Sequence, residues 1–187
     1  MRPTEIDWNV EQSTLIVDNH SEFISDCELI NQKFKQQFPN NSTTLDQKGD
    51  TSGYSLYNVF TATSPNPRWH SLFQELVSII RDYVNHDNPL WMQSWINFQQ
   101  HGDTLDWHSH SFPYHGYISI DPKDTTTVFE GYKIPNEVGN IYIGPGERAH
   151  TVQVNEPYEG ERITLGFDVT DKPDDIPFKG WSFIPIL

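Results

Sequence analysis

The sequence predicts a mainly β protein, a sandwich or barrel buttressed by two helices. Two observations carry this fold class. From Leu90 onward, short runs of branched and aromatic residues are broken by Gly, Pro, Asn and Asp: Trp91 to Gln99, Gly116 to Ile120, Thr125 to Phe129, Asn140 to Ile143, Ala149 to Val154 and Arg162 to Val169. Short strands at such spacing are the signature of a closed β architecture. Before Leu90, two stretches repeat their apolar residues at intervals of three and four, the period of an amphipathic helix.

Taken in chain order, Thr14 to Val17 reads as a short strand. Ser21 then caps a helix whose apolar face is Phe23, Cys27, Ile30 and Phe34. Pro39 to Gly53 is rich in Asn, Ser, Thr, Asp and Gly, whose side chains compete for backbone hydrogen bonds, so a loop is expected. Its Asn41, Ser42 and Thr43 match a glycosylation acceptor and read as a polar loop. Tyr54 to Thr63 returns to β-rich composition. After Pro65 and Pro67, the residues Trp69, Leu72, Phe73, Leu76, Ile79, Ile80 and Val84 give the strongest helix pattern in the chain. The last residues, Pro173 to Leu187, fit an edge strand or an arm. With 187 residues and no internal repeat, residues 1–187 are expected to form a single domain. Its helical support spans roughly 1–89 and its β core roughly 90–187.

The 26 acidic and 12 basic residues give a formal charge of −14. A field of that sign repels phosphate backbones and anionic lipid, which argues against nucleic acid and membrane surfaces as partners. Cys27 stands alone, so no intrachain disulfide is possible. The opening residues carry no apolar segment of signal-peptide type and no stretch reaches membrane-span length. A soluble, cytoplasmic protein is the expectation.

The chemistry concentrates in three places. His108 and His110 lie two residues apart, so on a strand both imidazoles project from one face and can grip one metal ion. His150 follows a turn-rich segment, Gly144 to Ala149, and offers a third imidazole from a later strand. Three neutral imidazoles on one side of an ion leave other positions open, as a catalytic site requires. Arg162 and Thr164 are again two apart, aiming a planar guanidinium and a hydroxyl the same way, a match for a carboxylate. If the strands bearing His150 and Arg162 pair directly, Val154 falls opposite Arg162 and His150 opposite Gly166. The offset is then about 13 Å, a gap that an extended Arg and a metal-bound five-carbon diacid can span. Trp91, Trp95, Trp107, Phe112, Tyr114 and Tyr132 make the surroundings aromatic, as a walled pocket or a sandwich core would be.

The segment Trp95 to His110, with its Gly102-Asp103 turn before His108, resembles the iron(II)- and 2-oxoglutarate-dependent oxygenases, particularly their prolyl-hydroxylase-like branch. The segments Gly139 to His150 and Glu161 to Phe167 resemble the same family's distal-His and Arg-x-Ser regions, and Val17 to Ser21 resembles its strand-to-helix start. The resemblance implies a double-stranded β-helix core, the cupin-like jelly roll, with Fe(II) and 2-oxoglutarate as cofactors. It implies His108, His110 and His150 as metal ligands, Arg162 on the distal carboxylate of 2-oxoglutarate and Thr164 adding a hydrogen bond to it. Tyr117 and Asn97, on neighbouring strands, are candidates to contact the cosubstrate. The implied activity is hydroxylation of an unidentified substrate, small molecule or peptide, with succinate and CO2 as co-products. The family usually has His-x-Asp or His-x-Glu where this chain has His108-Ser109-His110. Asp106 is an alternative carboxylate, and His101 and His115 are spare imidazoles placed in turns or behind the ligands. Two other functions fit the residues: a three-His zinc hydrolase or lyase, and a non-catalytic jelly-roll binding module.

Overall fold

The structure, a computed structural model, describes residues 7–37, 57–103, 106–172, 174 and 182–186. The expected loop Pro39 to Gly53, with its Asn41 to Thr43 motif, lies outside the described residues. So does most of the segment from Pro173 to Ile184.

Nine strands and four helices follow in the order β1 (Asn9–Gln12), α1 (Thr14–Asp18), α2 (His20–Gln37), α3 (Val59–Thr63), α4 (Pro67–Val84), β2 (Leu90–Gln100), β3 (Tyr114–Asp121), β4 (Thr125–Phe129), β5 (Tyr132–Pro135), β6 (Asn140–Pro145), β7 (His150–Val154), β8 (Glu161–Thr170) and β9 (Ile184–Ile186) among the described residues. They form a six-stranded sheet, ordered β1-β6-β3-β8-β2-β9, and a three-stranded sheet, ordered β5-β4-β7, with every pair antiparallel. This is a double-stranded β-helix, a jelly roll of cupin type, with helices on the outer face of the larger sheet.

Strand alternation explains the layering. In β8, Ile163, Leu165, Phe167 and Val169 face one way and Arg162, Thr164, Gly166 and Asp168 the other. The first set joins Met92, Ile96 and Phe98 of β2, Ile118 and Ile120 of β3, and the helical residues Phe23, Cys27, Leu72, Leu76 and Ile80 in one core. The second set is also buried, so the polar interior between the two sheets is enclosed by protein on both sides.

The two expected helices form as α2 and α4. Asn66 caps α4 by accepting from the Arg68 N–H, and Pro67 sits at its first turn, where no N–H is needed. Asp26 of α2 ties the two together, accepting from Arg68 Nη2, Trp69 Nε1 and the Asn66 amide.

Three local expectations are corrected. Thr14 to Val17 is the helix α1, because Ser13 caps it through the Ile16 N–H and only Ile16 is fully buried, whereas a strand would need a ladder partner there. The described part of the Tyr54 to Thr63 segment holds a second short helix, α3, capped by a buried Asn58 whose amide is anchored on Met92 O and whose Oδ1 accepts from Phe60 N and Ser94 Oγ. Helix α2 begins at His20, and the Ser21 hydroxyl turns to Glu22 instead of capping. β9, on the far edge beside β2, matches the edge strand expected near the C-terminal end. No helix among the described residues is long and apolar enough to cross a membrane.

Candidate metal centre

His108, His110 and His150 come together, each offering a nitrogen within 4.8 Å of the others'. The scaffold differs from the one expected. His108 and His110 belong to the connection between β2 and β3 and not to a regular strand: a single bridge joins His108 to His150, with backbone bonds of 3.1 and 2.9 Å. The His110 N–H donates to Gly146 O at 2.8 Å, and the Gly146 N–H to Pro113 O. A Cβ at Gly146 would fall 1.9 Å from Phe112 O, so only glycine lets the two loops approach this closely.

Each imidazole has its δ nitrogen committed. His108 Nδ1 lies 2.9 Å from Asp106 O, His150 Nδ1 3.3 Å from Arg148 O, and His110 Nδ1 2.9 Å from Asp168 Oδ1. Carbonyl and carboxylate oxygens only accept, so each Nδ1 carries the proton and each lone pair is left on Nε2. His110 Nε2 is buried without a hydrogen-bond partner among the described residues. Fixing the tautomer through the far nitrogen is how proteins orient metal-binding histidines, and the donor set fits a divalent first-row metal. Burial pushes the proton affinities of His108 and His150 down, in His108 against the hydrogen bond to Asp106 O and in His150 with the help of the neighbouring rings, which favours the neutral, ligand-ready form of both.

Behind these rings lie two residues on facing positions of β3 and β8. His115 Nδ1 shares Asp168 Oδ1 with His110, again at 2.9 Å, and the two rings stack with centroids 3.5 Å apart. His115, His110 and Asp168 are themselves close enough to form a second ligand group. Burial pushes His115 down to about 4. Burial also opposes charge on Asp168, yet the His110 ring and hydrogen bonds from both imidazoles override it and hold the carboxyl well below its usual range. Trp95 stacks at 6.1 and 6.3 Å from the His110 and His115 centroids, and lies over Gly166, where a Cβ would be 2.4 Å from the indole.

Arg162 is 5% exposed and carries a charge with no carboxylate in ion-pair distance among the described residues. Its Nη1 donates to Gln99 Oε1 at 2.5 Å and its Nε to Thr125 Oγ1 at 3.3 Å. Burial lowers its proton affinity to about 10. Thr164 sits one step along the same face, accepting from Asn97 Nδ2 at 3.4 Å, while Asn97 Oδ1 accepts from Trp95 Nε1. The buried hydroxyls of Tyr117 and Ser119, on β3 beside this face, have no well-formed hydrogen bond among the described residues, and Thr127 and the guanidinium are polar neighbours of Tyr117. A buried cation with unmatched hydroxyls nearby has the chemistry to take an anion.

The expected pairing of β7 with β8 is overturned, since the two strands lie in different sheets. β7 pairs with β4, placing His150 opposite Phe129 and Val154 opposite Thr125, the residue that Arg162 reaches. The offset of four residues, about 13 Å, therefore survives across the sandwich.

Asp106 is not part of either ligand group; it is exposed and serves through its backbone carbonyl. His101 is exposed in a turn beside Tyr158. Of the six aromatics expected to wall the site, Trp95 touches the imidazoles. Trp107 is 54% exposed, and Phe112, Tyr114 and Tyr132 contact Phe183, Tyr83 and Phe129 respectively. Sequence reasoning missed Asp168, Gln99 and Thr125. Alternation from Arg162 and Thr164 puts Asp168 on their face and would have found it.

Comparison with solved structures agrees with this architecture. The carbocyclase SnoK of nogalamycin biosynthesis, described as non-heme and α-ketoglutarate-dependent, aligns over 97% of this chain and 92% of its own at a TM-score of 0.60 and 11% identity. HygX from Streptomyces hygroscopicus aligns over 94% and 91% at 0.59 and 13% identity. The epimerase SnoN of nogalamycin biosynthesis, likewise described as non-heme and α-ketoglutarate-dependent, aligns over 92% and 83% at 0.58 and 11% identity. These likenesses show that the chain shares its fold with these proteins. No protein-family model matches the sequence, and no curated protein matches it closely.

Proposed function

We propose that this protein is an iron(II)- and 2-oxoglutarate-dependent oxygenase that hydroxylates a small molecule or a peptide. The observation that carries the reading is the buried Arg162, a cation without a carboxylate partner among the described residues, on the interior face that also leads to the three imidazoles. His108, His110 and His150 would hold the metal, and Arg162 would bind the distal carboxylate of 2-oxoglutarate. Iron with this cosubstrate would supply an oxidant able to hydroxylate a C–H bond, drawing on molecular oxygen: one oxygen atom goes to the substrate and the other to the succinate formed as 2-oxoglutarate loses CO2.

The chain's own residues supply binding, orientation and dryness. The guanidinium fork and the Tyr117, Ser119 and Thr164 hydroxyls fix one end of the diacid, as Gln99 and Thr125 hold the fork in place. Asn97 links Thr164 to Trp95, tying this end of the site to the ring stack. Trp95 and Phe129, which lies 5.3 Å from the His150 ring, present apolar surfaces that exclude water. A cavity of about 390 Å³, lined by Asp103, Asp106, Trp107 and Thr151 among others, lies next to the segments that carry His108 and His150. A zinc hydrolase would use the imidazoles and leave the guanidinium idle, and a binding module would have no need of three free Nε2 lone pairs.

The test is turnover. Protein loaded with Fe(II) in air and supplied with 2-oxoglutarate should release succinate, slowly without substrate and faster with the right one, and His150→Ala should abolish the release. Absence of succinate from fully iron-loaded protein across a substrate panel, with hydrolysis by the zinc-loaded form, would replace this reading with the zinc one.

A further inference from the structure

Three neutral imidazoles give a divalent centre one negative charge fewer than two imidazoles and a carboxylate. The chain holds the missing charge close by. Asp168, wholly buried on β8, places Oδ1 2.9 Å from His110 Nδ1, and His110 stands where the resembling family has its carboxylate ligand. An imidazole whose N–H is held by a buried carboxylate donates more strongly through its other nitrogen, because negative charge is shared along the hydrogen bond.

The surrounding residues fix this contact. His115 binds the same Asp168 oxygen at 2.9 Å and stacks on His110 with an interplanar angle of 11°. Trp95, nested on Gly166, covers both rings. Resting on the metal reading above, the geometry points to Asp168 as a positioning residue that gives the centre its carboxylate charge through His110, one hydrogen bond from the metal. His115 is the brace that holds the carboxylate on His110.

Direct ligation by His110, His115 and Asp168 is the competing arrangement. It is disfavoured by access: two of its members are buried, Asp168 completely, whereas in the favoured group only His150 is buried and both His108 and His110 keep some exposure.

The experiment is an anaerobic Co(II) titration against a competing chelator, read by visible absorption, since Co(II) takes the same nitrogen and oxygen donors. Asp168→Asn keeps an acceptor for the His110 N–H and removes the charge. It should weaken Co(II) binding about 10- to 100-fold with the circular dichroism of the native fold. Adding His110→Asp to that variant puts a carboxylate at the ligand position and should return the affinity to near wild type. His108→Ala should lose Co(II), while His115→Ala should retain it. A change under twofold in Asp168→Asn overturns the assignment, as does loss of Co(II) in His115→Ala with retention in His108→Ala. Should Asp168→Asn fail to fold, the proton spectrum of Co(II)-loaded wild type decides. Three exchangeable imidazole N–H signals, with that of His110 the slowest to exchange, support the assignment, and two refute it. Failure of wild type to bind Co(II) would instead remove the metal reading itself.

Discussion

Arg162→Met is the substitution whose consequences the structure fixes most tightly. Methionine keeps much of the apolar volume and removes the charge. Wild-type Arg162 carries its charge at pH 7 although burial lowers its proton affinity from 12.5 to about 10, a penalty on the order of 3 kcal/mol. Because the folded value is the depressed one, that penalty is present in full at neutral pH and fades only as pH rises above 10. Removing the charge lifts it, while stranding Gln99 Oε1 costs about 1–2 kcal/mol. The cofactor-free variant should therefore melt no lower than wild type. Binding of 2-oxoglutarate should behave in the opposite way. Two of the five guanidinium donors are used by Gln99 and Thr125, leaving the rest for a carboxylate. Losing one partner of a buried charge pair costs about 2–5 kcal/mol, or roughly 30- to 4000-fold in Kd. Isothermal titration of 2-oxoglutarate into Mn(II)-loaded protein measures this directly. A Kd within threefold of wild type, at full metal loading, would refute the assignment of Arg162 as the diacid receptor.

Other consequences follow from the same geometry. His108→Ala and His150→Ala should each remove the metal, seen as zero stoichiometry after dialysis, with the fold intact by circular dichroism. Gly166→Ala drives a methyl into Trp95, 2.4 Å from the indole, and should lower the melting point by the equivalent of about 1–3 kcal/mol while weakening metal binding. Acid should destabilise the metal-free protein: unfolded His115 takes up a proton below its ordinary 6.5, the folded ring only near 4, so stability falls through that window. By pH 5 the loss from His115 alone is about 2 kcal/mol, measurable as a drop in urea midpoint between pH 7.5 and 5. Cys27, buried in the core with its thiol pushed up by burial, should resist alkylation in the native state, and Cys27→Ala should leave 2-oxoglutarate binding unchanged.

Much of this site was legible in the chain because alternation along a strand is a strict rule. The β8 segment reads apolar at Ile163, Leu165, Phe167 and Val169 and polar or small at Arg162, Thr164, Gly166 and Asp168, so one face packs on helices and the other lines the interior. The His108, His110 and His150 trio was visible from residue type and order. What was hidden depends on three dimensions. His108 and His110 sit in a connection whose shape is set by Gly146 and the single bridge to His150, which no local periodicity encodes. β7 leaves the larger sheet for the smaller one, so the register of His150 against Arg162 is mediated by β4. The helices at Thr14 and Val59 carry β-branched residues that favour strands locally, and their capping by Ser13 and Asn58 together with packing on the core overrides that preference. Asp168 was passed over because it stands among core residues away from the His and Arg-x-Thr motifs, although alternation from Thr164 places it on their face.

The central claim is that three imidazoles and a guanidinium serve one bound pair, metal and diacid. An anaerobic titration of 2-oxoglutarate into Fe(II)-loaded protein, followed in the visible range, tests both halves together. A charge-transfer band saturating at one equivalent, greatly weakened in Arg162→Ala, is the predicted result; full iron loading with no band would contradict it.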